Sequence, residues 1–240
     1  MLELSRVIPV AIYEANGVIE GIEEFKEVTQ KNAFDKEIKK GFYDWTPLRS
    51  DRIAVTYLSE IELFIPEIAK KEGEYEEELI RITPLRGIII VYNSAGYIDL
   101  IGSDINISSM KRSVLDLLFG DTESELKSPH FPQERIHKIF SMAQQITRVG
   151  YFLPISAEDK LRKIKRYDSY SDFKRYSVIA EQIRKREQEE IFAFGGKFEM
   201  NRKQISLYIN FTSGRITFYN RPTSKLRWED IFEMEDLILR

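Results

Sequence analysis

The chain has 240 residues, of which 42% are hydrophobic, 31% charged and 12% aromatic. That balance describes a folded chain and excludes disordered, collagenous and coiled-coil classes. It holds no cysteine, so a disulfide scaffold, a cysteine zinc site, an iron–sulfur cluster and a thiol nucleophile are all excluded, and its net charge is only −3.

In chain order, Val7–Tyr13 is an apolar run, then comes Asn16-Gly17, then Val18-Ile19. Asn-Gly between apolar runs predicts a hairpin, because both residues tolerate positive φ. Ile22, Phe25, Val28, Phe34 and Ile38 have helical spacing across 20–40, with a break near Asn32 and a stop at Gly41. Ser50-Asp51 then offers an N-cap to a helix through Ile53, Tyr57, Ile61, Phe64 and Ile65, ended by Pro66, with a strand over 52–57 as the alternative. Glu74 to Glu78 reads as a solvated acidic run. Ile88–Tyr92, a turn at 93–96 and Tyr97–Ile101 are the clearest β signal, the first strand apolar throughout and therefore central. A short helix capped by Ser108 or Ser109 runs through Val114, Leu117 and Leu118 to Gly120.

Residues 120–133 are polar and marked by prolines, which puts a domain boundary there. Beyond it the spacing predicts helices at 132–148, 156–167 and 171–190, a hairpin over 204–220 and a last helix over Trp228–Leu239. The expected fold class is therefore α+β: an acidic domain, 1–125, of antiparallel sheet and helices, and a basic helical domain, 126–240, with a β-hairpin. Three helices followed by a hairpin have the order of a winged helix. An internal echo is also present: 12–20, 91–99 and 209–217 each run from an apolar residue to Gly at the sixth position and Ile at the eighth.

Charge is unevenly spread along the chain. Residues 1–159 hold 18 basic and 27 acidic residues, residues 160–227 hold 17 and 7, and residues 228–240 hold one and five. A local excess of ten positive charges points to an anionic partner for that stretch alone. On the predicted helices the candidate contacts are Lys163, Lys165, Arg166, Lys174, Arg175, Arg184, Lys185 and Arg186. In the hairpin, Ile205, Leu207, Ile209, Phe211, Ile216 and Phe218 alternate inward, which turns Ser206, Tyr208, Arg215, Thr217 and Tyr219 outward. Tyr208 and Arg215 join the candidates, since tyrosine among basic residues suits phosphate contact with base stacking.

Catalytic signals are weak. No Gly-x-Gly-x-x-Gly occurs, and Gly196-Lys197 is followed by Phe198, so no phosphate-binding loop forms. The two histidines, His130 and His137, straddle a proline and make no metal pair, and no metal or other cofactor is expected. The leading expectation is a non-enzymatic nucleic-acid-binding protein, DNA before RNA, with a protein partner or self-association through the acidic domain. The alternatives are an adaptor or inhibitor with an acidic partner, and a metal-dependent nuclease built on Asp99, Glu125 and Lys127. Without a signal-peptide pattern or a membrane-length apolar run, a cytoplasmic location is expected. Thirty-one Ile and 27 Glu resemble a thermophile's residue usage.

Overall fold

The computed structural model describes residues 6–15, 19–71, 74–120, 127–154, 163–169, 190–222 and 225–239. Among them are twelve strands and four helices. Among these residues the chain is mainly β, not the balanced α+β fold with a helical C-terminal part that was expected. It divides into a first unit, Glu14–Leu126, and a second made of Met1–Tyr13 with Lys127–Arg240. The N-terminal strand β1 (Val7–Glu14) begins in the second unit.

The first unit starts with α1 (Ile22–Lys31), which stops before Asn32, where the spacing breaks. Strands β2 (Lys40–Arg49) and β3 (Arg52–Glu60) follow, then β4 (Leu63–Lys71), β5 (Glu74–Ile82), β6 (Leu85–Asn93), β7 (Tyr97–Ile101) and helix α2 (Asp104–Phe119). Strands β2, β3, β6 and β7 form an antiparallel meander in that order, and β4 with β5 forms a separate two-stranded ribbon. The helix expected over 50–66 is therefore replaced by strands, and the alternative strand over 52–57 is the reading observed, as β3. Ile53, Val55 and Tyr57 alternate on one face, and β-branched and aromatic side chains pack better on a pleat than on a helix. Their face takes both helices. Phe25 of α1 stacks on Tyr92 at 5.1 Å, and Asn32 Nδ2 donates to the Leu117 carbonyl of α2 at 3.2 Å. Helix α2 starts earlier than expected because Ser103, not Ser108 or Ser109, accepts the Asn106 N–H as its cap.

The hairpin expected at Asn16-Gly17 falls on 16–18, outside the described residues. Of its expected return, Val18-Ile19, the described residue Ile19 lies in no strand, and the helix expected from Glu20 begins at Ile22.

The second unit runs α3 (Gln133–Met142), β8 (Gln145–Pro154), β9 (Lys163–Ser169), β10 (Glu190–Met200), β11 (Lys203–Asn210), β12 (Arg215–Tyr219) and α4 (Trp228–Leu239). Its antiparallel sheet has the order β9-β8-β10-β11-β12-β1. The three-helix reading fails here for definite reasons. Helix α3 ends at Met142, and Ala143 is already extended. Ile146, Thr147, Val149 and Tyr151 then continue as strand β8, paired with β10. The helix expected over 156–167 gives way at 163 to β9, held by its ladder to β8. The helix expected over 171–190 lies outside the described residues except for Glu190, which opens β10.

One sheet face holds the core of this unit. Phe194 lies fully buried between Phe140 of α3 at 5.4 Å, Phe211 at 5.6 Å and Phe198 at 6.1 Å. The Gln133 side chain clamps Ile191 of β10, donating to its carbonyl at 3.0 Å and accepting from its N–H at 3.1 Å. Helix α4 is tied to α3 by Arg135, whose Nε donates to the Ile238 carbonyl at 2.8 Å, satisfying an acceptor at the helix end. At its other end Asp230 Oδ2 accepts from Arg227 N and Lys203 Nζ, both at 2.7 Å.

Candidate nucleic-acid interface

The face of the second sheet opposite Phe194 is built differently. Ladder register sets Arg148, Gly195, Tyr208, Thr217 and Pro9 in one row across β8, β10, β11, β12 and β1. Next to it run Lys197, Ser206, Tyr219 and Val7 on one side, and Ala193, Asn210, Arg215 and Ala11 on the other. Successive rows stand about 7 Å apart, two strand residues. The face is therefore a shallow pleated surface carrying two tyrosines, two arginines and a lysine within three adjacent rows.

Glycine makes the central contact possible. Arg148 and Tyr208 sit two strands apart with Gly195 between them, and the Arg148 guanidinium reaches over the Tyr208 ring, 5.6 Å from its centroid. A Cβ at Gly195 would lie 3.1 Å from Thr147 Oγ1 and 3.5 Å from the Tyr208 ring, so the bare backbone leaves room for the stack. Arg148 and Tyr219 are exposed, whereas Tyr208, Arg215, Thr217 and Lys197 are half-buried. The opposite residues Ile205, Leu207, Ile209, Ile216 and Phe218 are all buried, so the inward alternation read from the sequence is the one observed.

Of the ten sequence candidates, Tyr208 and Arg215 come together here, diagonal neighbours on paired strands. Lys163, Lys165 and Arg166 fall on the backbone of β9, a strand and not the expected helix. Lys174, Arg175, Arg184, Lys185 and Arg186 lie outside the described residues. Arg148 and Lys197 went unrecognised. By helical spacing Arg148 falls at the tail of the helix expected over 132–148, and Lys197 stands beside an incomplete phosphate-loop pattern; alternation along 145–152 is the sequence signal that would find the first.

The equivalent face of the first unit has a different composition. Arg52, Ala54, Val91, Asn93 and Asp99 share it by register and are buried, while Tyr97 and Arg49, in the row of Asn93 and Arg52, are half-buried and Tyr43, opposite Thr56, is exposed. Arg52 pairs with Asp51 at 3.0 Å. Asp99, the carboxylate of the nuclease alternative, is thus sealed from solvent, and Glu125 lies outside the described residues. Among the described residues no three His, Asp or Glu gather as metal ligands, and no helix is long and apolar enough to cross a membrane. Compared with known proteins, the chain matches no family model and no curated sequence.

Proposed function

We propose that the second unit binds single-stranded nucleic acid along the sheet face that carries Arg148, Lys197, Tyr208, Arg215 and Tyr219. The observation that carries this reading is the single row Arg148–Gly195–Tyr208 with its guanidinium-on-ring stack. A base has two π faces and a phosphate on each side, so a flat aromatic flanked by guanidinium groups meets both of its demands. Pleated sheets with exposed aromatics bind splayed-out bases in this manner, whereas a duplex hides its bases from a flat surface. The net excess of ten positive charges over 160–227 adds long-range attraction for a polyanion. The proposal is one of binding alone.

Fluorescence anisotropy with labelled single-stranded and duplex oligonucleotides, DNA and RNA, tests it. Arg148, Lys197 and Arg215 together neutralise about three phosphates, so log K falls against log salt with a slope near −2 for a single strand. Tyr208→Ala removes one stack and weakens binding by about 1–3 kcal/mol. Absence of binding at low salt, or wild-type affinity in an Arg148→Glu, Arg215→Glu double variant, refutes the assignment.

A further inference from the structure

The outward side chains of β11 and β12 form a two-by-two block. Tyr208 stands opposite Thr217 and Ser206 opposite Tyr219, so the tyrosines lie on one diagonal and the aliphatic hydroxyls on the other. Diagonal neighbours across a ladder are about 7–8 Å apart. That is roughly twice the 3.4 Å spacing of stacked bases along a strand, so two bases on these rings are splayed apart with an extended sugar–phosphate link between them. The side chains beneath that link are short. Ser206 is 7% exposed and Thr217 half-buried, whereas Tyr219 is 41% exposed. Among the described residues no side-chain hydrogen bond engages Ser206 or Thr217. Each hydroxyl also has a cation for a neighbour. Ser206 is opposite Lys197 across the β10–β11 ladder, and Thr217 is two residues from Arg215 on the same face of β12.

The geometry points to single-stranded RNA as the polymer this face takes, one nucleotide to each tyrosine, which presupposes the single-strand binding proposed above. A hydroxyl beside a cation matches ribose, whose 2′-hydroxyl sits next to its own 3′-phosphate. The 2′-hydroxyl both donates and accepts, as serine and threonine hydroxyls do, so each can satisfy the other. Deoxyribose offers only C–H at that position, and a protein hydroxyl stripped of water against it is left without a partner. Base edges are the poorer match. The carboxamide two residues from Tyr208, Asn210, already accepts from the Thr212 and Ser213 N–H groups at 3.1 and 3.2 Å.

Anisotropy competition on the full chain with oligo(rU), oligo(dU) and 2′-O-methyl oligo(U) of equal length tests this, because the three share a base and differ only at the sugar. One net hydrogen bond is worth about 2- to 10-fold in affinity, so two should set RNA roughly 10-fold ahead of DNA. The methylated strand, which has lost the donor and gained bulk, should bind no better than DNA. Ser206→Ala with Thr217→Val removes both hydroxyls at nearly constant shape and should bring the RNA-to-DNA affinity ratio to about one, with a thermal melt confirming the fold. Equal binding of RNA and DNA by the unaltered chain overturns the inference and leaves single-strand binding standing. So does methylated RNA bound as tightly as RNA, or a double variant that weakens both polymers alike and keeps their ratio. No binding to any strand at low salt refutes the binding reading and this inference with it.

Discussion

Gly195 and Gly196 are adjacent in β10, and alanine should be nearly neutral at the first and destabilising at the second. At Gly195 the new methyl meets Thr147 Oγ1 at 3.1 Å and then nothing closer than 3.5 Å. A side-chain hydroxyl can rotate away, and removing a glycine from the unfolded chain stabilises by about 0.4–1 kcal/mol, so the net change stays within about 0.5 kcal/mol. At Gly196 the methyl lies 2.7 Å from the Gln145 carbonyl oxygen and 3.5 Å from Ala143 Cβ. That oxygen is backbone, fixed by the ladder where the β8–β10 register shifts between Gly195 and Gly196, so it cannot turn aside. Overpacking costs about 1–3 kcal/mol, and after the entropy gain Gly196→Ala should lose about 1–2 kcal/mol. Urea denaturation followed by tryptophan fluorescence measures both. Trp228 reports the second unit and Trp45 the first, so each transition can be fitted on its own. Equal losses at the two glycines, or a neutral Gly196→Ala, would refute the claim that a backbone contact and not general crowding excludes a side chain there.

Three further outcomes follow from the same coordinates. Phe194→Ala empties a site bordered by three rings and should cost about 3–5 kcal/mol in the second unit's transition; a loss under 1 kcal/mol would mean the ring cluster is not its core. The β10–β11 turn holds Asn201 at φ 50 and Arg202 at φ 63, so Arg202→Gly gives the favoured Asn-Gly turn and should add about 0.4–1 kcal/mol, read as a rise in melting temperature. Burial lifts the Tyr57 phenol above its ordinary 10.0; the Ser113 and Ser59 side chains draw it back in part, and the Asp116 charge adds to the rise. The unfolded chain then loses this proton first as pH increases. Stability from this group is whole below pH 10.0 and falls above it, and Tyr57→Phe should make the decline between pH 10 and 11 shallower; an unchanged slope in denaturation titrations would count against it.

Local signals were legible where sequence and ladder agree. The Ile88–Tyr92 and Tyr97–Ile101 pair, the inward alternation of 205–211 and the final helix from Trp228 to Leu239 were each readable from period and turn residues alone. What failed were short apolar runs whose spacing fits both periods. Ala143 and Ile146 continue the stripe of α3, yet the helix has ended, because Thr147, Val149 and Tyr151 gain more from cross-strand packing with β10 than from another helical turn. The same ambiguity at Ile53 and Tyr57 turned a central strand into an expected helix, and with it the fold class. Of the site, the hairpin half was visible as outward Tyr208 and Arg215. Arg148 was not, since its place opposite Gly195 exists only once β8 is a strand.

The two units repeat one plan with different surfaces, which bears on where function lies. Each runs helix, four-stranded antiparallel meander, helix: α1, β2-β3-β6-β7, α2 in the first, and α3, β8-β10-β11-β12, α4 in the second. In each, an Asn closes the last hairpin and its Oδ1 accepts the N–H two residues on, Ala95 from Asn93 at 2.9 Å and Thr212 from Asn210 at 3.1 Å. Two of the three echoed segments, 91–99 and 209–217, fall on these hairpins, whereas 12–20 runs from β1 toward α1. Matching the turns sets Tyr97, Asp99 and Ile101 against Arg215, Thr217 and Tyr219. Where the first sheet buries Asp99 and Ile101, the second leaves Thr217 half-buried and Tyr219 exposed. A scaffold needs one face of each sheet for its helices. What the other face carries is free to differ: the first unit buries Arg52, Asn93 and Asp99 there, with Tyr97 and Arg49 half-buried and Tyr43 exposed, whereas the second sets the Arg148 guanidinium over Tyr208 beside Arg215, Lys197 and Tyr219.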